Sequence, residues 1–350
     1  MVVLSQPVTL DNHVSVIPTC RPVSVQGPVP VAEIPMVDLT DPEAKTRIVE
    51  ACVEFGFFKV VNHGVRPELM TRLEHEAIRF FALPQSSKDK AGPPDPFGYG
   101  SKRIGPNGDV GWIEYILLNA NPQVISLSTL AVFRQTPPIF RAAVEEYMTA
   151  VKAVACEVLE KMAEGLGIEP ADRLSKLVKD EKSDSCLRLN HYPAAAEETA
   201  AAEGRGREVV GFGEHTDPQV ISVLRSNNTT GLQICLKGGS WVAVPPDHSS
   251  FFINVGDALQ VMTNGKFKSV KHRVLADTRK SRVSMIYFGG PPLNEKIAPL
   301  TCLVPNQDDR LYKEFTWSQY KSSAYKTRLG DYRLGPFEKN PLPQSEGFDQ

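Results

Sequence analysis

The chain has 350 residues, 41% of them hydrophobic, enough to bury one large core or two modest ones. Its 39 basic and 41 acidic residues leave a formal net charge of -2 with no long basic block, so neither nucleic acid nor an anionic membrane is the expected partner. The opening MVVLSQPVTL has no charged start and no long apolar stretch, and SEGFDQ at the end carries no targeting signal. No segment reaches the ~18 apolar residues of a membrane span. A cytoplasmic location is expected, with nuclear entry left open. Cys20, Cys52, Cys156, Cys186, Cys235 and Cys302 lie far apart without a Cys-x-x-Cys pair, which suits reduced, mostly buried thiols rather than a disulfide framework. Oligomeric state is not legible.

Residues 1–33, rich in Val and Pro, read as an extended arm, and Ile34–Leu39 as a short strand. Asp41-Pro42 opens a helix with Ile48, Ala51, Cys52 and Phe55 on one stripe, and Gly56 closes it. Phe57–Val61 is a strand, Asn62-His63-Gly64 a turn, and Pro67 begins a second helix with Leu69, Leu73, Ala77 and Phe80 or Phe81 inward. Residues 91–111, dense in Gly and Pro, read as a long loop of the kind that often serves function. Trp112–Leu118 follows as a strand, and Pro138–Leu166 repeats its apolar residues at helical spacing, as core.

Beyond Ser185 the pattern changes. Short apolar runs recur about every ten residues, split by Gly, Asn or Pro, as in an antiparallel sandwich or barrel. They are Cys186–Tyr192, Val209–Phe212, Val220–Leu224, Leu232–Leu236, Trp241–Val244, Phe251–Val255, Leu259–Met262, Lys268–His272 and Arg282–Phe288. The low-complexity residues 194–208 interrupt them and are expected to be mobile. Asp308–Tyr325 is expected to close with a helix, and the tail from Gly335 to be loose. Helices lead and strands follow, which predicts an α+β fold with a helical layer on a β-sandwich.

GEHTDPQ places His215 and Asp217 two residues apart, on one face if a strand runs through them. With His272 they would give two imidazoles and one carboxylate, the facial set of non-haem Fe(II) oxygenases. A zinc site uses similar donors, although His-Glu-x-x-His is absent, and a buried His–Asp pair unrelated to metal is an equally simple reading of the motif alone. Arg282 and Ser284 share another strand face. An arginine directed into an apolar interior needs an anion, and a guanidinium beside a hydroxyl suits a carboxylate. A metal with a carboxylate site some distance away fits 2-oxoglutarate. Arg188, Asn190 and Tyr192 alternate onto one face of RLNHYP, which fits a polar cavity or, equally, a solvated face. His191 then points away, and His13, His63, His75 and His248 have no partner at useful spacing.

With IPMVDL, ACVEFGFFKVVNHGV, RLNHYP, EHTDPQ, GDALQVMTNGKFKSVKHRV and SRVSMIYFGGPP, the chain resembles the plant 2-oxoglutarate- and Fe(II)-dependent dioxygenases over residues 34–325. That resemblance implies a double-stranded β-helix (jelly-roll) core flanked by N-terminal helices. Residues 1–180 would be the mainly helical region, 181–325 the jelly-roll and 326–350 a tail. It implies iron on His215, Asp217 and His272, and the distal carboxylate of 2-oxoglutarate on Arg282 and Ser284. Asn190 and Tyr192 would contact that co-substrate, and His191 stands where the family usually has Tyr.

GDVGWIEYILL and GFGEHTDPQVISVLRSNNTTGLQI are similar to gibberellin 2-oxidases of the nineteen-carbon class. This implies hydroxylation at carbon 2, inactivation of the hormone, O2 as oxidant and ascorbate as supporting reductant. A rigid apolar tetracycle with one carboxylate calls for an apolar pocket with one cation. Arg188 is the candidate anchor, and Trp112, Tyr115, Phe97, Tyr99 and Phe288 are candidate walls. Auxin or a flavonoid under the same chemistry, a jelly-roll that binds without turnover, and a zinc hydrolase are the competing functions.

Overall fold

A computed structural model describes residues 29–104, 107–121, 127–194 and 209–340 of the protein. In chain order the first half runs β1 (Met36–Asp38), α1 (Ala44–Glu54), β2 (Phe57–Val61), α2 (Pro67–Phe81), α3 (Gln85–Lys88), β3 (Gly98–Ile104), β4 (Asp109–Asn119), α4 (Leu127–Arg134), α5 (Pro138–Leu166) and α6 (Ser175–Lys179). The second half runs β5 (Cys186–Tyr192), β6 (Val209–His215), β7 (Ile221–Ser226), β8 (Leu232–Cys235), β9 (Trp241–Ala243), β10 (Phe251–Val255), α7 (Asp257–Met262), β11 (His272–Ala276), β12 (Arg282–Gly289), β13 (Lys296–Ile297), β14 (Phe315–Thr316) and α8 (Trp317–Lys326).

Two sheets form the jelly-roll. The larger has eight strands in the order β1-β2-β10-β7-β12-β5-β4-β3, and the smaller has four, β6-β11-β8-β9. Helices α1, α2 and α5 pack Ile48, Cys52, Leu73, Phe80, Val144, Tyr147 and Val151 against the outer face of the larger sheet, through Leu189, Val223, Ile253 and Met285. A second apolar cluster lies between the sheets, with Phe57, Tyr192, Phe212, Ile234, Phe252 and Val274. The sheet strands buried on both faces are near-continuous apolar runs such as FFINV.

Several expectations need correction. The sheet does not respect a boundary at residue 180, because β1, β2, β3 and β4 from the first half complete it. Residues 91–111 are not one long loop: Gly98–Ile104 is a strand paired with β4. Its glycines hid the alternation, yet they serve the pairing. A Cβ on Gly100 would sit 2.5 Å from the ring of Tyr115, so glycine lets that ring lie across the neighbouring strand.

Leu259–Met262 is helical, within α7; a short apolar run does not reveal its period. His272 begins β11 rather than ending a strand over Lys268–Lys271. The first helix starts at Ala44, and Asp41 caps the turn before it by accepting from Glu43 N at 2.9 Å. The last helix is confined to Trp317–Lys326. The tail packs as far as it is described: Leu334 is buried and the Phe337 ring lies 4.5 Å from that of Phe315. All but the first residue of the mobile stretch expected at 194–208, and most of the N-terminal arm, lie outside the described residues. Among the described residues no helix is long and apolar enough to cross a membrane.

Candidate active site

Strand β6 ends on His215 and β11 begins on His272, and the two residues pair directly across the smaller sheet. Their ring centroids stand 4.2 Å apart. Asp217 lies in the turn just beyond β6, not on the strand, yet its Oδ1 is 3.7 Å from Nε2 of His215 and 3.7 Å from Nε2 of His272. One ligand atom from each falls within 4.8 Å of the others. His215 Nδ1 donates to the Gly213 carbonyl at 2.8 Å and His272 Nδ1 to the Val270 carbonyl at 3.2 Å. Both Nε2 lone pairs therefore face the shared space. Burial, then the neighbouring His272, holds the pKa of His215 well below its ordinary value, so it is a neutral donor. Asp217 turns its other oxygen, Oδ2, to Ser222 Oγ and Asn254 Nδ2, each at 2.7 Å. The donor set could hold a divalent metal on one side and leave the opposite side open.

The larger sheet supplies the neighbouring pocket, a small cavity of about 60 Å³ that reaches the three ligands. Arg282 and Ser284 on β12 face Tyr192 and Asn190 on β5 in register. Arg282 is 2% exposed, and its Nε and Nη1, like Ser284 Oγ, have no protein partner. A buried guanidinium with two idle N–H groups beside an idle hydroxyl fits an absent carboxylate. Tyr192 OH accepts from Asn190 Nδ2 at 3.3 Å, and a Cβ on Gly211 would fall 2.6 Å from the Tyr192 ring, so glycine there leaves room for it.

A larger cavity of about 810 Å³ opens next to the ligands. Arg188 stands at the junction of the two cavities, with its guanidinium 4.0 Å from the Tyr115 ring centre and 5.1 Å from that of Phe212. Its Nε donates to Asn190 Oδ1 at 2.8 Å, and its Nη2 is buried without a partner. Phe97, Tyr115 and Phe288 line this cavity. Trp112 and Tyr99 do not, which corrects the expectation for both. Trp112 donates Nε1–H to the Pro193 carbonyl at 3.0 Å and packs on Val209 and Ala276. Tyr99 turns into the helical core and donates to Glu114 at 2.7 Å. An aromatic residue in a Gly/Pro-rich stretch does not say which face of its strand it takes.

Known proteins match this arrangement. The model of the 2OG-Fe(II) oxygenase superfamily matches residues 183–291, and that of the "non-haem dioxygenase in morphine synthesis N-terminal" region matches residues 29–128. Gibberellin 2-beta-dioxygenase 2 of Arabidopsis thaliana is 77% identical over 342 residues, covering 98% of either chain. The chain belongs to the 2OG-Fe(II) oxygenase superfamily. A gibberellin 2-beta-dioxygenase of Phaseolus coccineus is 67% identical over 88% of this oxygenase and 91% of its own length. Among solved structures, JOX2 in complex with 2OG, Fe and JA superposes with a TM-score of 0.77 at 30% identity, covering 89% of this chain and 91% of that one. The dioxygenase for auxin oxidation of rice gives 0.70 at 26%, over 87% and 100%.

The oxygenase uses Fe(II), 2-oxoglutarate and O2. Its site also contains residues that the sequence reading passed over. Ser222 sits in an apolar run and gave no signal. Asn254, one amide inside FFINV, was a legible anomaly, since a lone polar residue in a two-sided core strand needs a partner. Thr216 and Tyr320 both donate to the buried Asp257 carboxylate, at 3.1 and 2.6 Å. Arg333, from beyond the expected core, lines the large cavity. His191 faces away from the His215, Asp217 and His272 cluster, donating Nδ1–H to Glu114 at 2.8 Å and stacking on Phe81. Burial would raise the Glu114 pKa, but hydrogen bonds from His191, Lys88 and Tyr99 outweigh it and the carboxyl lies below its ordinary value. The polar network fixes the β4–β5 pairing beside Tyr115.

Proposed function

We propose that the protein hydroxylates gibberellins at carbon 2 and so inactivates the hormone, with His215, Asp217 and His272 as iron ligands and 2-oxoglutarate as co-substrate. The substrate rests on 77% identity to a gibberellin 2-beta-dioxygenase over 98% of both chains. The chemistry is supported by the convergence of three ligand atoms within 4.8 Å beside a buried Arg282 and Ser284 that lack partners. A binder without turnover has no need of either, and a zinc hydrolase has no need of a second carboxylate site.

Bound iron, with 2-oxoglutarate and O2, supplies the oxidative decarboxylation that yields succinate and CO2 and puts a hydroxyl on an unactivated C–H bond. The chain's own residues do the rest. His215 and His272 present their Nε2 atoms, held in place by the carbonyls that accept from Nδ1, and Asp217 supplies the carboxylate oxygen that Ser222 and Asn254 orient. Arg282 and Ser284 take the distal carboxylate of 2-oxoglutarate through charge-assisted hydrogen bonds, and Asn190 and Tyr192 border the same pocket. Arg188 offers its idle Nη2–H to the gibberellin carboxylate, while Phe97, Tyr115 and Phe288 wall the tetracycle. Their placement selects which C–H bond lies nearest the metal.

Product analysis by mass spectrometry tests this directly. The purified protein is incubated with Fe(II), ascorbate, 2-oxoglutarate and a panel of gibberellins, auxin and flavonoids. A 2-hydroxylated nineteen-carbon gibberellin that requires 2-oxoglutarate and disappears in His215→Ala is the expected result. Succinate formed only with auxin or a flavonoid would replace the substrate and keep the chemistry.

A further inference from the structure

We infer that Asp257 and Tyr320 are positioning residues for the metal site: they hold Thr216, and so fix the turn that carries Asp217 beside His215. This rests on reading His215, Asp217 and His272 as the ligands. The two histidines are paired directly across the smaller sheet, so the strands place them. Asp217 lies just beyond the end of β6, outside that pairing. Ser222 and Asn254 aim its carboxylate but do not hold its backbone. That task falls to residues 256–258, at the start of α7. Gly256 N donates to the Val220 carbonyl at 3.1 Å, Asp257 N to that of Asp217 at 2.8 Å and Ala258 N to that of Pro218 at 3.3 Å. A Cβ on Gly256 would lie 1.8 Å from the Gln219 carbonyl oxygen, so glycine lets the two segments meet this closely.

The Asp257 side chain completes the clasp. It is 2% exposed, and its Oδ2 accepts from Thr216 Oγ1 at 3.1 Å and from Tyr320 OH at 2.6 Å. Burying a carboxylate is costly, and here one oxygen joins two hydroxyls from distant segments. Thr216 stands between His215 and Asp217 in the chain, so its hydroxyl carries the tie to both. Tyr320 brings the rigidity of α8. Its buried ring lies 5.3 Å from that of Phe315, 6.0 Å from Trp317 and 5.3 Å from Phe337. The helix opens on a capping box at Thr316, and Trp317 Nε1 and Lys321 Nζ both donate to Asp184. Thr216, Asp257 and Tyr320 line neither cavity, so they act through the turn and touch no ligand. Trp317, Lys321, Ala324 and Tyr325 of the same helix do line the larger cavity. One rigid element thus serves both the cavity wall and the ligand turn.

The experiment measures Co(II) binding to the metal-free protein by calorimetry, with the thermal midpoint of each metal-free variant recorded in parallel. Co(II) takes the same donors as Fe(II) and is read without turnover. Thr216→Val keeps the shape and removes the hydroxyl, and its Co(II) affinity is expected to fall about 10-fold. Thr216→Ser keeps the hydroxyl and is expected to bind within about threefold of wild type. Tyr320→Phe removes the other donor and is expected to weaken binding about 3–10-fold. Both hydroxyls act through one oxygen, so the double variant should lose less than the product of the single losses. A lowered thermal midpoint with unchanged Co(II) affinity would overturn the positioning role and leave a packing contact. Thr216→Ser losing as much as Thr216→Val would overturn it too, as would losses that simply multiply in the double variant. If Thr216→Val does not fold, Tyr320→Phe at the far end of the link decides, and wild-type affinity there overturns the inference. A wild type that binds no Co(II), or binding that survives His215→Ala, would overturn the ligand reading, and this inference with it.

Discussion

Replacing Arg282 by methionine is expected to stabilise the ligand-free protein and at the same time to abolish its use of 2-oxoglutarate. The guanidinium is 2% exposed, and neither Nε nor Nη1 has a protein partner. Each buried donor left unmade costs about 1–3 kcal/mol. The adjoining cavity of about 60 Å³ has room for a few waters, so the low end of that range applies to both donors. Methionine has a similar length, keeps the packing against the Tyr192 ring and needs no partner. The net effect is a gain of about 1–2 kcal/mol without ligand, which in a chain of this size is a rise of a few degrees in Tm. Binding goes the other way. Losing a charge-assisted two-pronged contact to a carboxylate costs about 3–5 kcal/mol, so the KM for 2-oxoglutarate rises by about 100-fold or more. The assay is thermal denaturation with and without Fe(II) and saturating 2-oxoglutarate, alongside succinate release. Wild type should gain stability on adding the co-substrate and Arg282→Met should gain almost none. An apo variant less stable than wild type by 2 kcal/mol or more, or an unaltered KM for 2-oxoglutarate, would refute the reasoning.

Further outcomes follow from the same geometry. Asn254→Ala and Ser222→Ala each remove one of the two donors that hold Asp217 Oδ2, and the apparent Fe(II) affinity should weaken about 10–100-fold while saturating Fe(II) restores most of kcat; a loss that Fe(II) does not rescue would count against their orienting role. Arg188→Ala should raise the gibberellin KM about 10–100-fold with the KM for 2-oxoglutarate little changed, and normal substrate affinity would remove the anchor. Chelation should silence turnover, with Fe(II) restoring it and Zn(II) failing to do so; recovery with Zn(II) would revive hydrolytic chemistry. Gly211→Ala places a methyl 2.6 Å from the Tyr192 ring and should cost about 1–3 kcal/mol of stability, and an unaltered Tm would show that the ring moves aside freely.

The residues proposed to carry the chemistry stood out in the sequence because each broke a local rule. His215 and Asp217 interrupt the end of an apolar run, Arg282 and Ser284 put polar groups on a core strand, and RLNHYP alternates polar with apolar. Strand period and burial cost act over a few residues, so their violations can be read without knowing the fold. The long helix Pro138–Leu166 was equally plain, since its stripe runs through many turns. What only the tertiary structure decided is which distant segments meet. The pairing of His272 with His215, the support of Asp217 by Asn254, and the arrival of Arg333 at a cavity beside Thr216 are long-range contacts set by how two sheets close on one another. The direction taken by Trp112 and Tyr99, and the helical form of Leu259–Met262, likewise depended on neighbours remote in sequence. Local periodicity assigns a side chain to a face. Only packing decides what that face meets.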